Sequence, residues 1–125
     1  MMNSVVHALK QIFAPLQVPL ALPGGPAPRL PCLMLPLSLP VQGQAVPMAP
    51  ILWFSREDAA PGQATPGVSP WMEQLSRLIP PGGVKYPHPG GGILLLRDTP
   101  FLTLIPEGEN PLVMGLRMGL LLRAY

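Results

Sequence analysis

Charge is the scarcest feature of this sequence, and cysteine, histidine and aromatic residues are few as well. Only 11% of the 125 residues are charged, against about 25% in typical soluble domains. The eight Lys and Arg form no run and the net charge is only +2, so there is no basic stripe for specific nucleic-acid binding. A single cysteine, Cys32, cannot form an intramolecular disulfide, and together with two histidines it gives no cluster for zinc. We predict no metal and no other cofactor.

Apolar residues, proline and glycine are abundant instead: 48% of the chain is hydrophobic, with 20 Pro and 13 Gly. Between Arg29 and Arg56 the chain carries no charge for 26 residues, yet this stretch contains five prolines. A membrane-spanning helix of about 20 residues would not tolerate them, since each interior proline costs about 3 kcal/mol. We interpret the stretch as extended, buried chain, and the lack of charge as typical of a subunit that buries surface against other chains. A membrane-associated subunit is the alternative, favoured by a mean hydropathy of +0.35.

Two helices are predicted from apolar periodicity and from residues that start and stop helices. Asn3 or Ser4 is expected to cap the first helix and Pro15 to stop it, with one apolar side made of Val5, Leu9, Ile12, Phe13 and Leu16. Ser69 is expected to cap the second helix, with Pro70 at its first position and a proline pair after its end. The apolar face of the second helix is predicted to contain Trp71, Met72, Leu75, Leu78 and Ile79.

The rest of the chain is predicted to be mostly β-structure. Strands are expected over 30–39 and 50–55 and in the segments ILLLR and FLTLI, with a turn at RDTP between the last two. A further turn, EGEN, precedes a long final strand over 112–125. The fold class expected is therefore α+β, a mostly antiparallel sheet with two short helices packed on one face. At 125 residues the chain has the size of a single domain, 1–125.

Three segments between these elements are expected to contact partners. They are the Pro- and Gly-rich connector 17–29 and the loops 56–69 and 82–92. Within 82–92, the glycines 90–92 lack the lysine of a phosphate-binding loop and lead into a strand, so a hairpin connection or a flexible arm is the better interpretation.

The final strand alternates between two kinds of face. One face is uniformly apolar and is predicted to lie in the core, with Leu112, Met114, Leu116, Met118, Leu120, Leu122 and Ala124. The other mixes glycine, apolar residues and Arg117, Arg123 and Tyr125. These arginines would line a lumen or pair with acids of a neighbouring subunit, or they would simply cover the exposed face of an antiparallel sheet.

Glu107 and Glu109 flank a glycine in the EGEN turn. Such a pair serves acid–base chemistry when burial separates its pKa values, but acids at a turn between strands are usually exposed. No nucleophile, metal cluster or pocket of convergent acids and histidine is recognisable, so we predict that the protein is not an enzyme. A small enzyme or ligand-binding domain is the contrasting hypothesis. The two glutamates, with Arg117, Arg123 and Tyr125, are candidate residues of a subunit interface or lumen.

The order of elements resembles a known family. A first amphipathic helix, two apolar strands, a second helix containing Trp71, Met72 and Glu73, and a long closing strand are similar in layout to the lambda-type tail-terminator (tail-completion) proteins of long-tailed bacteriophages. This chain has fewer acidic residues and more proline than those proteins. The three residues of the second helix are the local match.

The resemblance implies a ring, expected to be a hexamer of this chain, that caps the phage tail tube and ends its polymerisation. Its expected partners are further copies of itself, the tail tube protein and head–tail connector proteins, with no membrane. It would belong to the virion and be assembled in the host cytoplasm. The family has no catalytic residues. Another head–tail connector or a capsid-stabilising protein is the alternative within the same class.

Overall fold

A computed structural model describes residues 2–22, 25, 29–36 and 43–125. The elements, in chain order, are helix α1 (Met2–Phe13), a 3-10 turn (Ala14–Leu16), strands β1 (Leu20–Ala21), β2 (Cys32–Met34), β3 (Ala45–Met48) and β4 (Ile51–Ser55), helix α2 (Val68–Leu78), and strands β5 (Val84–His88), β6 (Gly91–Glu107) and β7 (Asn110–Ala124).

One sheet contains all seven of these strands, in the order β1-β2-β4-β7-β6-β5, with β3 also beside β7. Among the described strands, β1 and β2 form the one parallel pair. Strand β7 lies at the centre: β6 pairs along one side of it, while β4 and β3 pair in succession along the other. The expected α+β class with a mostly antiparallel sheet is confirmed.

Both helices pack against one face of this sheet, the core face. On β7 the buried hydrophobic side chains alternate along the strand, as predicted, because successive side chains of a strand point to opposite faces. They are Met114, Leu116, Met118, Leu120 and Leu122. Leu9, Ile12 and Phe13 from α1 and Trp71 and Leu75 from α2 complete this core. Two residues depart from the β7 prediction: Leu112, with 53% of its surface exposed, and Ala124, which is only half-buried.

The helix ends follow the predictions at the C-terminal side and differ at the N-terminal side. Helix α1 ends at Phe13, and Pro15 lies in the 3-10 turn that follows. The helix begins at Met2, so Asn3 and Ser4 lie inside it and the predicted cap is wrong. The apolar periodicity, which starts at Val5, does not mark the first turn.

The start of α2 also differs from the prediction. Its N-cap residue is Gly67, with φ of 132°, and no side chain caps the helix. Ser69 lies within the helix and Pro70 at its third residue, where the missing N–H still costs no helical hydrogen bond. Trp71 and Leu75 are buried, but Met72 is 40% exposed, so its assignment to the apolar face is wrong.

The β-strands differ from the predictions in three segments. The strand predicted over 30–39 is only Cys32–Met34, and the connector before it contains β1; residues 23–24, 26–28 and 37–42 lie outside the described chain. The loop predicted over 82–92 is mostly β-structure, because β5 pairs with the start of β6. The turn predicted at RDTP is wrong as well.

Strand β6 runs through that RDTP segment with a shift of register between Arg97 and Leu102. The extra residues form a bulge that lies across β7 at Gly119, where an added Cβ would be 2.4 Å from the carbonyl oxygen of Pro100. The EGEN turn is confirmed, because Glu107 pairs with Asn110 and leaves Gly108 and Glu109 as the tip of a hairpin.

Arg97 connects the bulge to the end of α2. Its Nε donates to the carbonyl oxygen of Ile79 at 2.7 Å, and its terminal nitrogen donates to that of Ser76 at 3.0 Å. The guanidinium carbon also lies 4.0 Å from the ring centroid of Phe101. The last carbonyls of a helix lack intrahelical donors, so this one side chain satisfies two of them.

Candidate subunit interface

The face of the sheet away from the helices, the outer face, carries the odd-numbered side chains of β7 from Val113 to Arg123. Cross-strand register places Arg117 between Ile51 on β4 and Thr103 on β6. Arg123 is placed in the same way between Ala45 on β3 and Leu94 on β6. Both arginines are exposed. They lie six residues apart on one strand, a distance of about 20 Å.

Apolar side chains surround the two arginines on this face. Met34 is 37% exposed, and the other members are half-buried: Ile51, Trp53, Leu96, Ile105 and Leu121. The Trp53 ring occupies the space over Gly115, its partner on β7, because this glycine has no side chain; an added Cβ would be 2.8 Å from the indole ring. The outer face is therefore an apolar surface, still partly exposed, that carries two positive charges.

A shallow recess of about 520 Å³ lies at one end of the outer face. We call it the basic recess; it is lined by Gly43, Lys85, Leu94, Arg123, Ala124 and Tyr125. Lys85 and Arg123 flank Leu94 from the two neighbouring strands, so their backbones are about 10 Å apart. The Lys85 ammonium lies 5.1 Å from the Tyr125 ring centroid. No carboxylate of the described residues forms an ion pair with either cation.

Tyr125 is held in the recess by backbone and ring contacts with the start of β6. Its N–H donates to the carbonyl oxygen of Gly92 at 3.0 Å, and the Gly92 N–H donates back at 2.9 Å. The phenol ring lies over Gly92, where an added Cβ would be 2.4 Å from it. The glycines that suggested an arm thus provide the close approach that positions the aromatic ring.

Acidic residues gather at the opposite end of the sheet, which we call the acidic end: Glu57, Asp58 and Glu109. Glu109 is exposed at the tip of the β6–β7 hairpin. The Arg56 N–H donates to the Leu112 carbonyl oxygen at 2.8 Å, which places the segment after β4 beside the start of β7. The Asp58 carboxylate accepts a hydrogen bond from the Ser55 N–H, and Glu57 is exposed.

The five predicted interface residues therefore fall into separate groups along β7 and its hairpin. Arg123 and Tyr125 meet at the basic recess, Arg117 lies near the middle of the outer face, and Glu107 and Glu109 lie at the hairpin end. From Glu109 to Arg123 the strand covers about 45 Å, so the acids and the basic recess of one molecule do not meet.

Sequence reasoning missed Lys85 as a member of the basic recess. The residue lies in VKYPH, where proline density favoured a loop over a strand. The alternation of Val84, Lys85 and Tyr86 was the signal for a strand, and it places Lys85 on the outer face.

Other candidate chemistry leads to no site in the described part of the chain. Cys32 is buried beside Trp53, and burial raises the pKa of its thiol, as expected for an inert structural cysteine. No group of three or more His, Cys, Asp or Glu is placed to hold a metal among the described residues. The helices described here include none that is long and apolar enough to cross a membrane.

Comparison of the chain with protein-family models, with curated proteins and with solved structures finds no match.

Proposed function

We propose that this chain is a structural subunit of a phage tail or a related tubular assembly, and within that class a tail terminator. The observation that carries the proposal is the outer face of the sheet. Its partly exposed apolar side chains surround Arg117 and lead to the basic recess, and apolar surface of this kind is typical of protein–protein contact sites. An assembly of identical subunits would bury this face.

The narrower assignment rests on the layout of the elements. An amphipathic helix, apolar strands, a helix containing Trp71, Met72 and Glu73, and a long closing hairpin occur in the order that resembles lambda-type terminators. The proposed mechanism is geometric. A ring matches the symmetry of the tail tube on one side, and its other side accepts head–tail connector proteins and no further tube subunit. The protein would belong to the virion after assembly in the host cytoplasm.

The first test is the native mass of the purified chain, measured without detergent at several concentrations. A hexamer of the 13.4 kDa chain, about 80 kDa, is expected. Replacing Arg117 with Gln should leave the circular dichroism spectrum unchanged and reduce the oligomeric fraction, because Arg117 is exposed on the outer face. Arg77→Gln is the matched control, since Arg77 is exposed on α2 and pairs with Glu73 of the same helix.

The second test measures the activity of the ring on a tail tube. The purified chain is added to polymerising tube protein encoded by the same genome, and tube lengths are measured by electron microscopy. Short tubes with added density at one end are expected. Unchanged tube lengths would contradict the terminator assignment. Gold labelling of virions at the portal or capsid, away from the tail end, would favour a connector or capsid-stabilising protein instead.

A further inference from the structure

We infer that the acidic hairpin tip of one copy of this chain docks into the basic recess of a second copy, which makes the subunit contact head-to-tail. This inference rests on the proposed assembly and names the surfaces that meet in it. It follows from where the sheet places its charges.

The described lining of the basic recess contains two cations and no acidic side chain. Lys85 and Arg123 stand on either side of Leu94, and both are exposed. The nearest described acid on this side of the sheet is Asp98, beside Gly119. Its carboxylate accepts a hydrogen bond from the Thr99 N–H at 2.8 Å. Gly119 is four residues from Arg123, about 13 Å along the strand and beyond the screening length of about 8 Å at physiological salt.

The hairpin tip has the opposite charge and a shape that can enter a shallow recess. It is a two-residue turn, Gly108 and Glu109, and both residues are exposed. Glu57 is exposed at the same end of the sheet. A carboxylate entering between two cations gains attraction from both, and the Tyr125 ring and Leu94 provide apolar surface for the backbone of the turn.

The tip and the recess of one molecule cannot meet, because about 45 Å of strand separates them. The partner is therefore a second copy. Contact between two different patches is heterologous, so an open chain of copies always ends in one free tip and one free recess. When the chain of copies closes into a ring, every hairpin tip is docked in a recess and none is left free.

Paired charge reversals test the contact. Arg123→Glu and Glu109→Arg should each lower the oligomeric fraction, with self-association weakened about 10-fold or more, while circular dichroism and the melting temperature stay as in the wild type. The double variant Arg123→Glu/Glu109→Arg should return to within about 3-fold of wild-type association, because it exchanges the partners of one pair. Lys10→Glu is the control: it makes the same change of charge on an exposed residue of α1.

Three results would overturn the inference. They are reversal variants with the mass distribution of the wild type, a double variant as dissociated as the single ones, and a wild-type chain that is monomeric at every concentration tested. Tube capping separates this inference from the proposed function. An oligomer that is sensitive to the reversals but leaves tube growth unchanged contradicts only the terminator assignment, and an oligomer that caps tubes but ignores the reversals contradicts only the contact.

Discussion

Replacing Arg97 with Met should lower the free energy of unfolding by about 2–3 kcal/mol. The arginine donates two hydrogen bonds to carbonyl oxygens at the end of α2 and lies over the Phe101 ring. A hydrogen bond from a charged group contributes about 1.5–3 kcal/mol and an exposed cation–π contact about 0.5–1 kcal/mol. The site is only half-buried, so water can hydrogen-bond to both carbonyl oxygens after the substitution. The expected loss of about 2–3 kcal/mol is therefore smaller than the sum of these three contributions.

Urea unfolding followed by tryptophan fluorescence measures this loss, because Trp71 lies in α2 and packs on Phe54 at a centroid distance of 5.9 Å. The midpoint should fall with an unchanged slope. Arg97→Lys should lose about half as much, since one ammonium cannot reproduce the fork that reaches two carbonyls. Arg77→Met is the control, and its exposed pair with Glu73 should contribute at most about 0.5 kcal/mol. A midpoint for Arg97→Met equal to that of the control would refute this account of the helix end.

Three further predictions test the packing of the sheet. Leu120→Asp should prevent folding, as judged by circular dichroism, because it places a carboxylate in the core. Leu121→Asp, on the outer face, should still fold. A folded Leu120→Asp protein would refute the assignment of faces on β7. Gly119→Val should lower stability by about 1–3 kcal/mol, because its Cβ would press on the carbonyl oxygen of Pro100, and an unchanged melting temperature would contradict that contact. Cys32 should react with a thiol reagent far more slowly in the folded than in the urea-unfolded protein. In the folded protein the reaction rate should begin to rise at a higher pH than in the unfolded protein, because burial raises the pKa of the thiol. Equal rates in the two states would contradict the burial of Cys32.

Much of the core was predictable from the sequence because it depends on local periodicity. The alternation along β7 identifies buried Met118 and Leu120 and exposed Arg117 without any structure, and the apolar spacing of α1 identifies Leu9 and Phe13. These patterns identify the apolar face of each element, which must be buried against another element. In this fold the two helices cover one face of the sheet.

The remaining features depend on register between distant segments. The RDTP segment contains Asp98 and Pro100, residue types that are common in turns. It forms a bulge instead, because β6 pairs with β7 both before and after it. Proline in VKYPH argued against a strand, although an edge strand tolerates it, and β5 is an edge. The basic recess exists only because β5, β6 and β7 lie side by side, which brings Lys85 to Arg123 across 38 positions of sequence.

The central position of β7 has a consequence for synthesis on the ribosome. Strands β3, β4 and β6 all pair with β7, so these earlier strands have no partner at the middle of the sheet until residues 110–124 have emerged. The apolar stretch that contains β2, β3 and β4 is made long before that. The centre of the sheet therefore cannot form before β7 has been synthesised, and until then the nascent chain presents unpaired apolar strands of the kind that chaperones bind.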